Sequence, residues 1–270
     1  MNEISGTTRL YAILADPIHH VQTPRLMNAL FRQRGADRLM VALHVPALEL
    51  AEAVAGLRHL ANLEGFIVTV PHKSAMLALC DEVSAHAAQV GAVNVVRRDA
   101  DGRLHGDIVD GTGFVAGLRS AGIEPAGQSV YLMGAGGAAN AIAFALAEAG
   151  IARLTIANRS QHKAEALSQR LQRVYPQLSV AIGSRDPSGH QLVVNATSLG
   201  LRNDDPLPCD VQRLSPDQVV AEIIMQPPLT ALLQAAQARG CKIHEGLPML
   251  SSQIELMAAR MGVPLQEVSV

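Results

Sequence analysis

The sequence predicts an α/β fold with two lobes. Short apolar segments alternate with helical segments along most of the 270 residues, which is typical of a mainly parallel sheet covered by helices. A glycine turn at 134–139 stands between an apolar strand and a long apolar helix, which predicts a Rossmann-like second lobe. After Gly246 the chain has one more helix and no strand for it to cover, so we expect this helix to pack back on the first lobe. The predicted domains are 1–109 together with 246–270, and 110–245.

The first lobe begins with a strand that Asp16-Pro17 ends. Thr23 is the predicted N-cap of the next helix, with Pro24 as its first residue. The predicted elements are strands at 10–15, 39–45, 65–70, 92–97 and 103–105, and helices at 24–34, 48–60, from 72, and at 84–90.

The second lobe repeats the alternation of strand and helix. The predicted helices lie at 110–122, from the glycine turn to Gly150, at 161–174 and at 230–239. The predicted strands lie at 129–133, 153–157, 178–181, 191–195, 219–224 and 241–244. The helix that we expect to pack back on the first lobe lies at 248–261. We expect the active site to lie in the cleft between the lobes.

Composition narrows the classes of function. The net charge is −2 without a long basic block, so nucleic acid and anionic membranes are not expected partners. Three widely spaced cysteines fit a reducing compartment, and no apolar run approaches the length of a membrane span. The sequence therefore predicts a cytoplasmic protein with a small-molecule substrate. No metal site is expected, because the one adjacent histidine pair, His19-His20, lacks helical ligand spacing.

The glycine turn indicates a dinucleotide site. Gly134 permits the tight turn, Gly136 lets the backbone approach a pyrophosphate, and Ala139 is small enough for close packing of helix on strand. The backbone N–H groups at the start of the following helix form an anion site, to which Ala135, Gly137 and Ala138 also belong. The alternative is a glycine turn that holds no ligand.

The end of the next strand indicates which dinucleotide is bound. An NAD site usually has an acidic residue there, whereas this strand ends in Asn158-Arg159-Ser160 with Lys163 one turn later. A guanidinium and an ammonium group favour a 2′-phosphate, so NADP is the predicted cofactor. The same residues are also compatible with a solvated helix start capped by Ser160.

Lys73 and Asp110 are candidates for an acid–base pair. Lys73 follows a predicted strand end, and Asp110 lies at the join between the lobes. Hydride transfer to or from a hydroxyl-bearing carbon needs a group that moves the hydroxyl proton, and a lysine shielded from water beside a carboxylate can do so. Read from spacing alone, Lys73 is equally a solvated first-turn lysine and Asp110 a helix cap.

The chain resembles the shikimate dehydrogenase family along almost its full length, because that family's short motifs occur here in order. They match residues 16–24, 67–73, 91–95, 106–111, 134–138, 158–160, 195–200 and 246–253. The resemblance implies that Lys73 and Asp110 are the catalytic pair and that Asn94 and Gln253 bind ring hydroxyls. It also implies a substrate contact from Thr69, cofactor contacts from Thr197 and Gly246, and a monomer or dimer.

The chain departs from the family where the substrate carboxylate is held. The family uses two serines in the first loop and a tyrosine in a D-x-x-Y-x-P motif, and these positions are Val21, Thr23 and Met225 here. Thr23 keeps a hydroxyl and resembles the quinate-using branch. A hydrogen bond to a charged group contributes roughly 1.5–3 kcal/mol, so losing two weakens carboxylate binding by roughly two to four decades.

Four further family residues, two asparagines and two threonines, are replaced by Ile67, Ile108, Val95 and Val109. For Val95 and Val109, simple packing in the core is an equally good explanation.

Three functions remain open. The first is an NADP-dependent dehydrogenase of this family that reversibly oxidises a ring hydroxyl of shikimate or of a related cyclic hydroxy compound, its shikimate activity being weakened or replaced by activity on a less polar cyclic alcohol. The second is a quinate or quinate/shikimate dehydrogenase, which Thr23 favours and Asn158-Arg159 opposes. The third is a non-catalytic NADP-binding regulator, which the changed substrate positions favour and the intact Lys73 and Asp110 oppose.

Overall fold

The computed structural model describes residues 4–263, which divide into two compact units. Unit 1 contains the described residues up to 109 and those from 253 onward, and unit 2 contains 110–252. The second boundary, between 252 and 253, lies inside the last helix.

Unit 1 is built on a six-stranded mixed sheet. Its strands are β1 Arg9–Ala15, β2 Arg38–His44, β3 Leu63–Val68, β4 Glu82–Val83, β5 Val95–Arg98 and β6 Leu104–Asp107. The strand order is β2-β1-β3-β5-β6-β4. The strands β2, β1 and β3 are parallel, whereas β5 is antiparallel to both β3 and β6. The two-residue β4 was not predicted, because a run this short has no readable periodicity.

The helices of unit 1 are α1 Thr23–Gln33, α2 Leu50–Leu57, α3 Lys73–Met76 and α4 Ala85–Val90. The prediction that Thr23 caps α1 is wrong. The carbonyl oxygen of Gln22 already accepts from the N–H groups of Arg25 (3.1 Å) and Leu26 (3.4 Å), so Gln22 is the N-cap and Thr23 is the first helical residue.

Unit 2 contains a fully parallel sheet of six strands. These are β7 Ser129–Met133, β8 Arg153–Ala157, β9 Ser179–Ile182, β10 Leu192–Asn195, β11 Val219–Glu222 and β12 Lys242–His244. Their order is β12-β11-β10-β7-β8-β9, with every neighbouring pair parallel. This is the strand order of dinucleotide-binding Rossmann sheets, and its direction reverses between β7 and β10, where such sheets bind ligands.

The remaining helices are α5 Asp110–Ser120, α6 Gly137–Glu148, α7 Gln161–Val174, α8 Ala231–Ala238 and α9 Leu247–Arg260. The helices α5 and α6 pack very closely, since a Cβ built on Gly111 would lie 2.1 Å from the carbonyl oxygen of Ala141. No helix within residues 4–263 is long and apolar enough to span a bilayer.

The two ends of α9 pack on different units, which explains why the division falls inside this helix. A Cβ on Gly117 of α5 would approach the backbone of Pro248 to 3.0 Å. Farther along, Glu255 forms an ion pair with Arg34, and Arg260 Nε lies 2.9 Å from a carboxylate oxygen of Asp107.

Candidate active site

Backbone hydrogen bonds at the ends of the unit 1 strands bring Thr69 and Asn94 to neighbouring positions. The N–H of Thr69 donates to the carbonyl oxygen of Leu14 (3.0 Å), and the N–H of Val68 donates to that of Asn94 (2.9 Å). The N–H of Asn94 in turn donates to the carbonyl oxygen of Asp107 (2.9 Å). The end of β3 is therefore tied to the end of β1 on one side and to Asn94 on the other.

The side chain of Asn94 is held in one orientation. Its Oδ1 accepts the backbone N–H of Val109 at 3.0 Å, and the residue is only 1% exposed. Since a backbone N–H can only donate, this contact assigns the oxygen of the amide and directs its Nδ2 elsewhere.

Lys73 is not a solvated lysine. It begins α3 and is 9% exposed, and its backbone oxygen accepts the N–H of Val93 (2.9 Å), one residue before Asn94. The preceding His72 is buried, with Nε2 2.9 Å from the carbonyl oxygen of Val45, and burial lowers the pKa of this histidine. The segment that carries Lys73 is thus fixed from both sides.

Gln253, on α9, offers an acceptor that still lacks a donor. The residue is 3% exposed, and its buried Oε1 has no hydrogen-bond partner among residues 4–263. A buried polar atom is normally hydrogen-bonded, so this oxygen is suited to a donor supplied by a ligand, such as a hydroxyl group.

The first loop presents apolar surface where the family places serines. Val21 is half-buried in a turn in which its N–H donates to the carbonyl oxygen of Ile18 (3.2 Å), and Thr23 is 4% exposed. Next to Val21, Nδ1 of His20 is buried and has no partner within the described chain, and burial lowers the pKa of this imidazole.

The other replaced positions of unit 1 lie in its core. Ile67, Val95, Ile108 and Val109 are each at most 4% exposed. Their burial supports the packing explanation for Val95 and Val109 and extends it to the two isoleucines.

In unit 2 the glycine turn follows β7 at the point where the strand order reverses. Gly134 has φ 115°, its N–H donates to the carbonyl oxygen of Ala157 (2.8 Å), and a Cβ on it would lie 2.9 Å from the oxygen of Ala196. By contrast, a Cβ on Gly136 would meet no described atom within 4 Å outside its chain neighbours. The turn is therefore tight at Gly134 and open at Gly136, as the backbone of a pyrophosphate site must be.

The end of β8 carries the cationic groups expected for a 2′-phosphate. Nδ2 of Asn158 donates to the carbonyl oxygen of Ser160 (2.9 Å), which shapes the turn into α7. Arg159 and Lys163 are exposed, and the first turn of α7, all of it described, has no acidic residue. Cations near a helix N-terminus oppose the helix dipole, so this arrangement favours a bound anion.

Thr197 lies beside the glycine turn, in a short segment after β10. Asn195 Oδ1 accepts both the N–H (3.0 Å) and the hydroxyl (2.6 Å) of Thr197, whose Oγ1 accepts the N–H of Leu199 (3.0 Å). The N–H of Ala196 donates to the carbonyl oxygen of Met133, the last residue of β7 (2.9 Å). The segment thus forms one wall of the crevice at the reversal of strand order.

Sequence reasoning missed Glu222, the last residue of β11. Its two carboxyl oxygens accept from Asn195 Nδ2 (2.6 Å) and from the hydroxyl of Thr230 (2.7 Å), and it is fully buried. Burial raises its pKa to about 8, although both hydrogen bonds act in the opposite direction. The signal was present in the sequence, since Glu222 stands where the D-x-x-Y-x-P motif has Asp.

Asp110, Met225 and Gly246 complete the candidates of unit 2. Asp110 begins α5 and is 3% exposed. Met225 is half-buried in the loop after β11. Gly246 lies against this loop, since a Cβ on it would be 2.4 Å from the oxygen of Ile224, which leaves no room for any other residue.

Comparison with known proteins agrees with this geometry. The family model of the shikimate dehydrogenase substrate binding domain matches residues 13–96, and that of shikimate / quinate 5-dehydrogenase matches residues 119–183. A shikimate dehydrogenase (NADP(+)) of Rubrobacter xylanophilus is 40% identical over 96% of this chain and 93% of its own. This chain belongs to the shikimate dehydrogenase family. It is therefore an oxidoreductase of a family whose curated relatives use NADP(+).

Two solved structures of similar fold bear on substrate and cofactor. The shikimate 5-dehydrogenase of Thermus thermophilus, in complex with NADP(H) and shikimate, has a TM-score of 0.83 and 31% identity, and the match covers 96% of this chain and 95% of that one. A 5-ketofructose reductase of a Gluconobacter strain has a TM-score of 0.81 and 33% identity over 97% and 96% of the two chains. The fold thus occurs with a carboxylated ring substrate and with a ketosugar reductase.

Proposed function

We propose that the chain interconverts a ring hydroxyl and a ketone on a small cyclic substrate, with NADP(H) as cofactor, and that this substrate lacks the carboxylate that shikimate carries. The observation that carries the proposal is a contrast within unit 1. Asn94 and Gln253, to which we assign the ring hydroxyls, are buried, and Gln253 Oε1 lacks a donor among residues 4–263. The carboxylate-binding position is occupied by Val21.

The reaction needs a group that exchanges a proton with the substrate oxygen. We assign this role to Lys73, whose ammonium group gives a proton to the ketone oxygen during reduction and takes it back from the hydroxyl during oxidation. Asp110 would orient this group. The fixed backbone around Lys73 supports the assignment, because proton transfer requires a positioned donor.

The residues of unit 2 fit NADP. The backbone from Gly134 to Ala138 would hold the pyrophosphate, and Arg159 and Lys163 would hold the 2′-phosphate. Thr197 and Gly246 would also contact the cofactor. When bound, NADP(H) accepts or supplies the hydride.

The substrate class follows from the changed positions. Val21 and Met225 give no hydrogen bond from their side chains, so a carboxylate placed there would lose its solvation without compensation. A neutral polyhydroxylated ketone would avoid this cost. The similar 5-ketofructose reductase supports the proposal, since 5-ketofructose is a sugar without a carboxylate.

Quinate or shikimate is the second candidate substrate, because Thr23 keeps a hydroxyl at one of the three carboxylate-binding positions. However, Thr23 is 4% exposed in the first turn of α1. The cations after β8 also favour NADP over NAD, against the preference of the quinate branch.

The test is the rate of NADPH consumption with two sets of compounds, cyclic keto acids such as 3-dehydroshikimate and neutral cyclic ketones such as 5-ketofructose. We expect the wild-type protein to reduce a neutral ketone. The Lys73→Ala variant should lose this activity while the variant still binds NADPH. If the wild-type protein turns over none of these compounds, the result would support the alternative of a non-catalytic NADP-binding regulator.

We propose a monomer or homodimer in the cytoplasm, which the three free cysteines support. Light scattering after size exclusion would distinguish the two assemblies.

A further inference from the structure

A buried carboxyl group joins two loops of unit 2. Glu222 is fully buried at the end of β11, and its side-chain partners come from different segments: Asn195 at the end of β10 and Thr230 at the start of α8. Both donors are neutral and would not compensate a negative charge, and burial raises the pKa of this carboxyl group to about 8. A buried ionisable group that keeps neutral partners is costly and calls for an explanation.

The first loop is the segment 195–200. Oδ1 of the Asn195 amide accepts the N–H of Thr197. Its Nδ2 donates to a carboxyl oxygen of Glu222 (2.6 Å) and to the carbonyl oxygen of Leu199 (3.0 Å). If the amide were rotated by 180°, its Nδ2 would face the N–H of Thr197, and its Oδ1 would face the carboxyl oxygen of Glu222. Because a carboxyl oxygen of Glu222 accepts from Nδ2 of Asn195, this bond fixes the orientation of the amide that shapes this loop.

The second loop is the segment 223–229, which carries Met225. It ends at Thr230, whose Oγ1 accepts the N–H of Leu233 (3.3 Å) and donates to Glu222 (2.7 Å). The two loops also touch, because a Cβ on Gly200 would lie 3.1 Å from Cδ1 of Ile224 and 3.5 Å from Cβ of Thr230. Glu222 lies beneath this contact and bonds to both sides of it.

We infer that Glu222 is a positioning residue, which through Asn195 and Thr230 sets the loop of Thr197 for the cofactor and the loop of Met225 for the substrate in one arrangement. The ligands that the two loops bind are taken from the proposed function. The way in which Glu222 holds the loops follows from the hydrogen bonds alone. Glu222 does not touch either ligand in this account, so its effect should appear in binding and loop order.

The experiment compares Glu222→Leu with Glu222→Gln and with a matched control, Gln218→Leu. Gln218 is buried just before β11, at the opposite end of the strand, where its Nε2 donates to the carbonyl oxygens of Pro187 (3.0 Å) and His190 (2.6 Å). Removing it should destabilise unit 2 without reaching the loops. The readouts are the Kd of NADPH from fluorescence titration and amide hydrogen exchange of segments 195–200 and 223–229.

Glu222→Leu should raise the Kd of NADPH at least about tenfold and speed exchange in both segments, because both loops lose their shared acceptor. Glu222→Gln should stay within about threefold of wild type, since its amide can accept from Asn195 and donate to Thr230. Gln218→Leu should lower stability and leave the Kd within about twofold.

Equal Kd values and equal exchange in Glu222→Leu and Gln218→Leu would overturn the inference. Failure of Glu222→Gln to restore binding would do the same, because it keeps both hydrogen bonds. If the wild-type protein does not bind NADPH, the proposed function fails, and the exchange of the two segments still decides whether Glu222 positions them.

Discussion

Replacing Glu222 by Gln removes one titrating group from the interior of unit 2 while keeping its size. Burial raises the pKa of Glu222 from 4.5 to about 8, so the folded protein holds this proton more tightly than the unfolded chain does. Its contribution to stability is therefore complete below the unfolded pKa of 4.5 and is lost as the pH rises through about 8.

The magnitude follows from the size of the pKa shift. One pKa unit corresponds to about 1.36 kcal/mol, so a rise from 4.5 to about 8 corresponds to roughly 3–5 kcal/mol. Glu222 is fully buried, so solvent screening does not reduce this figure. Between these two pH values, the free energy of unfolding of the wild type should fall relative to that of Glu222→Gln by up to about 1.4 kcal/mol per pH unit.

The assay is urea unfolding of both proteins at intervals from about pH 5 to pH 9, with the difference in unfolding free energy plotted against pH. All other titrating groups are common to the two proteins and cancel in this difference. A difference that stays constant within about 0.5 kcal/mol over this range would refute the reasoning that burial governs Glu222.

Three further substitutions test the cofactor and proton sites. Lys73→Ala should lower kcat by roughly 10²–10⁴ in steady-state assays and leave the Kd of NADPH unchanged, and near-normal turnover would exclude Lys73 as the proton carrier. The double substitution Arg159→Ala and Lys163→Ala should raise the Kd of NADPH by about 10²-fold or more and change that of NADH by less than about threefold, whereas equal losses would place the 2′-phosphate elsewhere. Gly136→Ala should weaken NADPH binding at least about tenfold in a titration. It should cost under about 1 kcal/mol of stability, because the added Cβ meets open space. Unchanged binding would contradict a pyrophosphate at this turn.

Much of the fold was predictable because its signals are local. The strands Ser129–Met133 and Arg153–Ala157 were predicted to the residue, since each is an apolar run with a turn residue close to its end. The helix Gln161–Val174 was predicted equally well from its amphipathic spacing. In contrast, the antiparallel pairing of β5 with β3 depends on contacts between distant segments, which no local pattern reveals.

The sequence names candidate site residues but not their organisation. Motifs pointed to Lys73, Asn94 and Gln253, yet only the structure shows that Lys73 is buried and that Gln253 Oε1 lacks a partner among the described residues. Glu222 was overlooked because its place in the D-x-x-Y-x-P motif does not tell which groups a carboxyl there contacts. Its significance arises from Thr230, eight residues later, and from Asn195, twenty-seven residues earlier.

The most direct test of the central claim is the ratio of kcat/KM for 5-ketofructose to that for 3-dehydroshikimate, measured with NADPH on the wild type and on the double variant Val21→Ser with Met225→Tyr. The account predicts that the wild type prefers the neutral ketone. It also predicts that the variant shifts the ratio toward the carboxylate by roughly two to four decades, because two hydrogen bonds to a charged group are restored. A wild type that prefers 3-dehydroshikimate, with a ratio that the double variant leaves unchanged, would contradict it.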